Sequence, residues 1–260
     1  MFKVFKYSLF DQTRSKWIYL YTLFFFLVSY AMLYLNNDLM SGLTNLLNIS
    51  LLICPLVSII FGTMYFYNSR EFTDLLLAQP IKRTTILLGQ YFGLSSSLSL
   101  AYLLGNLIPF ILYGVIVSDI FISFIMLLIA VVSLTFIFSG FAIMISLITD
   151  NRIKGFGFSI FLWLFMTFIY DGIFLLTLFL FSDYPMEIFS ISVTMLNPVD
   201  LARILIMLKL DITSMLGYTG AVFNKFFGSE TGIMISSITL IFWLFMPVIL
   251  SMKIGKRKDF

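Results

Sequence analysis

The stretch "SREFTDLLLAQPIKR", from Ser69 to Arg83, separates two long apolar runs and is dense in charge. The chain as a whole is 60% hydrophobic and only 11% charged. A passive turn between two apolar segments needs only a few polar residues, so we interpret this stretch as a structured element. Its charged residues are Arg70, Glu71, Asp74, Lys82 and Arg83.

The residues of this stretch predict where a short helix begins and ends. Ser69 is a favourable N-cap residue, and Glu71 in the first turn complements the positive end of a helix. Gln79 precedes Pro80, and a residue in that position is disfavoured in the α region, so the helix should end there. We therefore predict a short helix inside the segment 69–85.

The side-chain spacing predicts how this helix lies. Phe72, Leu75 and Leu76 form an apolar stripe of about two turns on a helix that would lie parallel to the membrane, with this stripe facing a cytoplasmic partner. Arg70 and Asp74 fall elsewhere on the helix, where water can reach them. A short, charged, amphipathic helix of this kind is a surface that a peripheral protein can bind.

The rest of the chain is strongly apolar. Its mean hydropathy is +1.04, and it contains 31 Phe and 13 Tyr among 260 residues, which does not fit a soluble domain. Apolar runs of about 20 residues, enough for a helix to cross about 30 Å of hydrocarbon, recur along it. The sequence predicts an all-α integral membrane protein with one transmembrane permease domain over residues 1–260. The expected spans are Trp17–Leu35, Leu46–Tyr67, Ser95–Val117 (or from Ile86), Ile120–Ile148, Gly155–Phe181 and Thr231–Met252.

The basic residues predict the orientation of these spans. If the N-terminus is cytoplasmic, 13 of the 16 Lys and Arg lie in inner segments, and only Arg203, Lys209 and Lys225 lie outside. The opposite topology would reverse this bias, whereas cytoplasmic loops normally carry the excess of basic residues. We therefore expect both termini inside, in a multi-pass protein of the inner (cytoplasmic) membrane of the cell.

The N-terminal segment 1–16 has helical spacing of its apolar residues. Phe2, Phe5 and Leu9 fall at i, i+3 and i+7, and lysines lie beside them. This pattern is typical of a basic helix in the inner membrane interface. A frayed polar tail is the alternative interpretation.

The segment 182–230, between the fifth and sixth spans, is too long for a simple turn. Within it, "NPVDLARILIMLKLD" (Asn197–Asp211) predicts a short amphipathic helix that opens at Asn197-Pro198. The segment would form either an outer vestibule or re-entrant pair, or an ordinary extracytoplasmic loop. Glycines that suit tight turns near the membrane surface follow at Gly217, Gly220 and Gly228.

One long stretch carries a family resemblance. "PLVSIIFGTMYFYNSREFTDLLLAQPIKRTTILLGQYFG" (Pro55–Gly93) is similar to the second span, coupling helix and third span of ABC exporter permeases of the type-2 class. Those proteins show an acidic cluster, a Leu-rich stretch, Pro-hydrophobic-x-Arg and then Leu-Gly-Lys. The chain departs from this pattern at Phe72-Thr73-Asp74, where Gly-Thr-Leu is usual, and at Gln90, where Lys is usual.

The resemblance implies a coupling helix that contacts a separate cytoplasmic ATPase subunit, which would bind ATP and Mg²⁺. The chain itself lacks the phosphate-binding pattern G-x-x-x-x-G-K-[ST], and we expect it to bind no cofactor directly. The residues assigned to the ATPase contact are Arg70, Glu71, Phe72, Asp74, Leu75, Leu76, Pro80 and Arg83.

A narrower resemblance covers nearly the whole chain in matching order. "FDQTRSKWIYL" (Phe10–Leu20), "IYDGIFLLTLFLFS" (Ile169–Ser182) and "MLNPVDLARIL" (Met195–Leu205) are similar to stretches of NosY-type permeases, which serve maturation of nitrous oxide reductase. This resemblance implies a homodimer, a periplasmic β-helix partner, and a role in assembling the copper–sulfur centre of the reductase. A copper chaperone or the reductase itself are further expected partners. The residues expected to shape an outer vestibule or docking surface are Asn197, Pro198, Asp200 and Arg203.

Several enzyme classes are excluded by composition. The chain has no His, which removes His-based triads and His-ligated metal proteases. The one cysteine, Cys54, lies inside a span and forms no disulfide within the chain. A membrane enzyme that uses carboxylates is an alternative, with Asp171 as the only clearly buried acid. We expect a permease subunit that is not an enzyme and that binds no nucleic acid.

Asp171 lies near the middle of the fifth expected span. Placing a charge there costs about 2.5–3.5 kcal/mol on translocon scales, so an intramembrane acid indicates a function facing protein or water. The alternative is an Asp that hydrogen-bonds Thr167 one turn earlier and only locks helix packing. Gly89 and Gly93 have the small-xxx-small spacing that lets helices approach closely, which predicts a packing role.

The sequence leaves the substrate open between copper, a sulfur species and no substrate at all. Its 14 Met offer soft ligands for Cu(I), but Met also fills gaps in ordinary spans. Alternative functions are a general exporter permease for a lipid, peptide or drug, and a non-transporting membrane anchor for a periplasmic protein. The methionines of the outer segment, which lack a tight ligand spacing, are Met186, Met195, Met207 and Met215.

Overall fold

The computed structural model describes residues 2–36, 38–78, 81–181, 184, 186–209 and 230–257, and every regular element in these ranges is helical. The α-helices are α1 (Phe2–Thr13), α2 (Lys16–Leu35), α3 (Leu39–Asn68), α4 (Arg70–Leu77), α5 (Arg83–Leu112), α6 (Phe121–Ile148), α7 (Arg152–Leu164), α8 (Tyr170–Leu180), α9 (Glu187–Met195), α10 (Pro198–Lys209) and α11 (Glu230–Arg257). A 3-10 turn (Val115–Val117) lies between α5 and α6, and a π-helical turn (Phe165–Ile169) joins α7 to α8.

Six helices are long and apolar enough to cross a membrane, which confirms the predicted number of such helices within the described residues. Five of them are α2, α3, α5, α6 and α11, and the remaining one runs through α7, the π turn and α8. Six apolar helices of this length indicate a multi-pass membrane protein, since a helix makes its backbone hydrogen bonds internally and is stable in hydrocarbon.

The second span begins earlier than the apolar run predicted. α3 begins at Leu39 and not at Leu46. The carboxylate of Asp38 accepts a hydrogen bond from the amide of Met40, which caps the helix at this earlier position.

The third span also differs from its predicted bounds of Ser95–Val117. α5 begins at Arg83, close to the alternative start near Ile86, and α1 packs against it. α5 ends at Leu112, and Gly114 follows with a φ of +81°, a left-handed conformation that is typical of helix ends.

The helices α3, α5 and α6 form the centre of the bundle. Between 56% and 61% of their most apolar windows is buried within the chain, against 28% for α2, 22% for α11 and 6% for α7–α8. Small residues let the central helices approach closely. Gly62 of α3 lies against Ala142 of α6, and Gly105 of α5 lies against Phe25 of α2.

Part of the outer segment is described, as α9 and α10. The two helices are bent by 115° at the break between Met195 and Pro198, which is the geometry of a broken span or a re-entrant loop. α10 is the helix predicted from Asn197-Pro198, and its apolar face is buried. The three glycines Gly217, Gly220 and Gly228 lie in residues 210–229, outside the described residues.

Candidate functional site

The helix predicted from the opening stretch is α4, and its first residue fixes it to the α6–α7 connection. The Arg70 guanidinium donates hydrogen bonds to the backbone oxygens of Ser146 (2.9 Å) and Thr149 (3.0 Å). It also lies 3.5 Å from the carboxylate of Asp150. A cation at the last carbonyls of a helix is favourable, so Arg70 stabilises the C-terminal end of α6.

Tyr67 strengthens the same junction from the end of α3. The guanidinium carbon of Arg70 lies 4.8 Å from the centroid of the Tyr67 ring, within reach of a cation–π interaction. The Tyr67 hydroxyl donates to the backbone oxygen of Thr149 at 2.8 Å. The end of α3, the start of α4 and the α6–α7 connection are therefore joined by direct polar contacts.

Both departures from the type-2 permease pattern make contacts inside the chain. Gln90 of α5 is only 1% exposed, and its Nε2 donates to Thr73 Oγ1 of α4 at 3.0 Å. Phe72 of α4 is half-buried, and its ring stacks on Tyr7 of α1 with 4.7 Å between centroids and 21° between planes. α4 is therefore held by α5 and α1 as well as by α6.

Fewer residues of α4 face outward than the sequence predicted. Leu75 is 70% exposed and Glu71 is exposed, whereas Leu76 is half-buried. Of the other residues assigned to the ATPase contact, the side chain of Asp74 and all of Pro80 lie outside the described residues. Leu75 and Glu71 are thus the described α4 side chains best placed for an external partner.

Two details of the predicted helix differ in the structure. Ser69 does not cap α4, because its backbone is near-helical (φ −88°, ψ 7°) and its hydroxyl donates to the backbone oxygen of Phe66 at 3.4 Å. Phe72 was predicted on an outward stripe, but its ring packs against Tyr7. Arg83 belongs to the next helix, where it is the first residue of α5.

The N-terminal segment 1–16 contains a helix, α1, that packs along α5. Gly89 and Gly93 make this possible, because a Cβ atom added to them would lie 2.8 Å from Val4 Cβ and 2.5 Å from Ser8 Cβ. The hydroxyls of Ser8 and Tyr65 also share a hydrogen bond of 2.6 Å. The two glycines therefore lie at a helix–helix contact, and α1 is the partner helix.

A second polar cluster lies where α8 meets α10. Nη1 of Arg203 donates to Oδ2 of Asp171 at 2.7 Å and lies 3.3 Å from Oδ1 of Asp200. Oδ2 of Asp200 accepts from Nδ2 of Asn197 at 2.8 Å. The side chains of Asp171 and Arg203 are 25% and 31% exposed, so their charges are partly withdrawn from water. Their pairing offsets part of the cost of holding charge in an apolar helix.

Asn197 joins this cluster to the π turn. Its Nδ2 also donates to the backbone oxygen of Met166 at 2.7 Å, and its Oδ1 accepts from the amide of Val199 at 3.0 Å. Asn197 is thus the N-cap of α10 and a direct link to Phe165–Ile169. Pro198 follows at the first helical position, where the missing amide hydrogen costs nothing.

Two further hydrogen bonds hold the end of α9. The Tyr170 hydroxyl of α8 donates to the backbone oxygen of Val193 at 2.6 Å. Nε1 of Trp243 in α11 donates to the backbone oxygen of Met195 at 3.1 Å. The bent pair α9–α10 is therefore tied to both the fifth and the sixth spans.

The structure contradicts one alternative and one expectation about the acids. Asp171 does not serve Thr167, whose hydroxyl donates to the backbone oxygen of Trp163 at 2.7 Å; the partner of Asp171 is Arg203. Asp171 is also not the only buried acid, because Asp200 is just 8% exposed. The four outer residues Asn197, Pro198, Asp200 and Arg203 lie together, and Asp171 joins them through Arg203.

Two of the described methionines of the outer segment pack against apolar side chains. Met195 packs against the small apolar cluster of Leu201 and Ile204, and Met207 packs against the central core. Met215 lies outside the described residues. Among the residues that the structure describes, no group of three or more His, Cys, Asp or Glu side chains could hold a metal ion.

Sequence reasoning missed several residues that build these two regions. Tyr7, Tyr170 and Trp243 belong to helices distant in sequence from their partners, and no spacing rule links them. Gln90 stands where type-2 permeases usually have Lys, and this difference marked it as unusual. Thr73 is the usual residue at its position, so nothing in the sequence indicated that it pairs with Gln90.

Comparison of the sequence with protein-family models finds no match, and comparison with curated proteins finds none.

Proposed function

We propose that this chain is the transmembrane permease subunit of an ABC transporter, and that a separate cytoplasmic ATPase subunit binds ATP and Mg²⁺. The observation that carries the proposal is the attachment of α4. Glu71 and Leu75 are exposed on a helix that directly follows α3 and that Arg70 and Thr73 connect to α6 and α5. A partner that displaces α4 would therefore displace α3, α5 and the end of α6.

The orientation in this proposal rests on the basic residues. The cytoplasmic side would hold both termini, α4 and the α6–α7 connection, in the inner membrane of the cell. α9 and α10 would then lie on the periplasmic side or enter the membrane from it.

The polar cluster between α8 and α10 is the proposed site of contact with periplasmic partners. Asn197, Pro198, Asp200 and Arg203 shape a vestibule or docking surface for a periplasmic β-helix protein, with a copper chaperone or the reductase as further partners. The resemblance to NosY-type permeases supports maturation of the copper–sulfur centre of nitrous oxide reductase as the process served. In this proposal the Asp171–Arg203 ion pair couples movements of the fifth span to movements of α10.

The proposed assembly contains two copies of the chain. The fifth span supports this, because only 6% of its apolar window is buried within the chain. Gly157 and Gly172 on that span meet no atom within 4 Å of an added Cβ, which leaves room for a closely approaching helix. A second copy that packs on this face would bury it.

Affinity purification of the tagged full chain tests the proposal. We expect a P-loop ATPase to co-purify in near-stoichiometric amount, and Leu75→Arg to release it while the chain stays in the membrane. Val117→Arg is the control, because Val117 is also highly exposed (93%) but lies in the 3-10 turn that precedes α6, away from α4. If no such ATPase is recovered, or if Leu75→Arg retains it fully, the transporter assignment is wrong.

A further inference from the structure

An apolar groove of about 720 Å³ lies between α5, α6 and α11. This volume is in the range of pockets that bind small molecules in proteins. One charged side chain, that of Lys253, lines it. The residues that define its walls include Leu88, Phe92, Phe136, Val248, Met252 and Lys253.

The polar groups in the walls of the groove already have partners. The Tyr91 hydroxyl donates to the backbone oxygen of Phe136 at 3.1 Å. The Ser133 hydroxyl donates to the backbone oxygen of Ile129 at 2.9 Å. The interior of the groove therefore favours an apolar occupant, and the charge of Lys253 favours an anionic group at one end of it.

We propose that this groove binds one acyl chain of an anionic phospholipid, with the headgroup phosphate on Lys253. A Lys near the end of a span can extend its ammonium toward the headgroup layer while its methylene groups stay in apolar surroundings. In other membrane proteins, basic pockets between helices bind anionic lipid headgroups. In the sequence, Lys256, Arg257 and Lys258 follow and add positive charge at the same chain end.

A lipid fits the groove better than a helix of a second copy. The six candidate spans contain one acidic residue, Asp171, and it is paired with Arg203. A neighbouring span would therefore bring no counter-charge to Lys253, whereas a phosphate does. The inference needs only membrane-spanning helices and does not depend on the proposed ATPase partner.

Native mass spectrometry of the purified full chain tests this inference. The chain in detergent micelles is titrated with phosphatidylglycerol or phosphatidylcholine, and the bound lipids are counted. We expect the wild type to prefer phosphatidylglycerol by about fivefold, since one Lys near the surface contributes on the order of 1 kcal/mol toward anionic lipid. Lys253→Gln should abolish this preference, and Lys253→Glu should reverse it.

A second variant tests the groove itself. Ser133→Phe should fill the groove and reduce binding of both lipids. The controls are Lys154→Gln, an exposed lysine outside the groove, and Ile122→Phe on an exposed face of α6; both should behave as wild type. The inference is overturned if Lys253→Gln keeps the preference, or if Ser133→Phe binds both lipids normally. Loss of a dimer in Ser133→Phe with unchanged lipid binding would assign the groove to a second copy instead.

Discussion

The Asp171 carboxylate accepts a 2.7 Å hydrogen bond from the Arg203 guanidinium, across a sequence separation of 32 residues. This contact binds the fifth span to α10, and the same Nη1 atom lies 3.3 Å from Asp200. The guanidinium is therefore shared by two acids on two helices. Its removal would leave both carboxylates without their cation in apolar surroundings.

We expect Arg203→Ala to lower the free energy of unfolding by about 1.5–3 kcal/mol, the range for a hydrogen bond to a charged group. Asp171→Asn should cost less, because the Asn oxygen can still accept from Arg203. Thermal unfolding of the purified chain and a double-mutant cycle between the two sites measure the coupling. Strictly additive effects would show that the two side chains do not interact. Under the proposed function, Arg203→Ala should also impair maturation of nitrous oxide reductase in the cell while membrane insertion stays normal.

The topology is tested with single cysteines in a Cys54→Ser background. Ile153 and Val117 are 82% and 93% exposed, and they lie beyond opposite ends of α6. The 28 residues of α6 span about 42 Å, enough to cross the membrane. An impermeant thiol reagent should label Val117→Cys in intact cells, whereas Ile153→Cys should react only after the cells are opened. The reverse pattern would invert the orientation.

Two substitutions on the outward face of α4 separate the apolar and the charged contributions to binding of a partner. If Leu75 is buried by a partner, Leu75→Ala should weaken binding by up to about 1.5–3 kcal/mol, the value for taking a Leu fully out of water. Glu71→Gln should cost only about 0–1 kcal/mol, because an exposed ion pair contributes little. Titration of the proposed ATPase partner against the purified chain measures both effects. Equal, negligible effects would mean that α4 binds nothing.

The close approach of α1 and α5 is tested at a glycine. Gly93→Ala should destabilise the chain by about 1–3 kcal/mol, because the new Cβ would lie 2.5 Å from Ser8. Ser237→Ala is the control, at an exposed position of α11 whose hydroxyl bonds only the backbone of its own helix. The control should be neutral, or stabilising by up to about 1 kcal/mol through helix propensity. Thermal unfolding that responds equally to both substitutions would contradict the packing of α1 on α5.

Hydropathy and a few local signals determined the class of this protein and most of its helices. Long apolar runs can lie in hydrocarbon only if their backbone hydrogen bonds are made internally, so six helices follow from the apolar pattern. Asn197-Pro198 predicted the start of α10, because both residues act within one turn of themselves. The start of α3 was missed, because it lies before the apolar run from which the span was predicted.

Only the tertiary structure decided which polar and aromatic side chains meet. A guanidinium can pair with any acid, and a ring can stack on any other ring, so the partner depends on how the helices cross. Local sequence therefore could not show that Arg203 pairs with Asp171, or that Phe72 packs on Tyr7. These two contacts attach α4 to α1 and α10 to the fifth span, and each joins helices that are far apart along the chain.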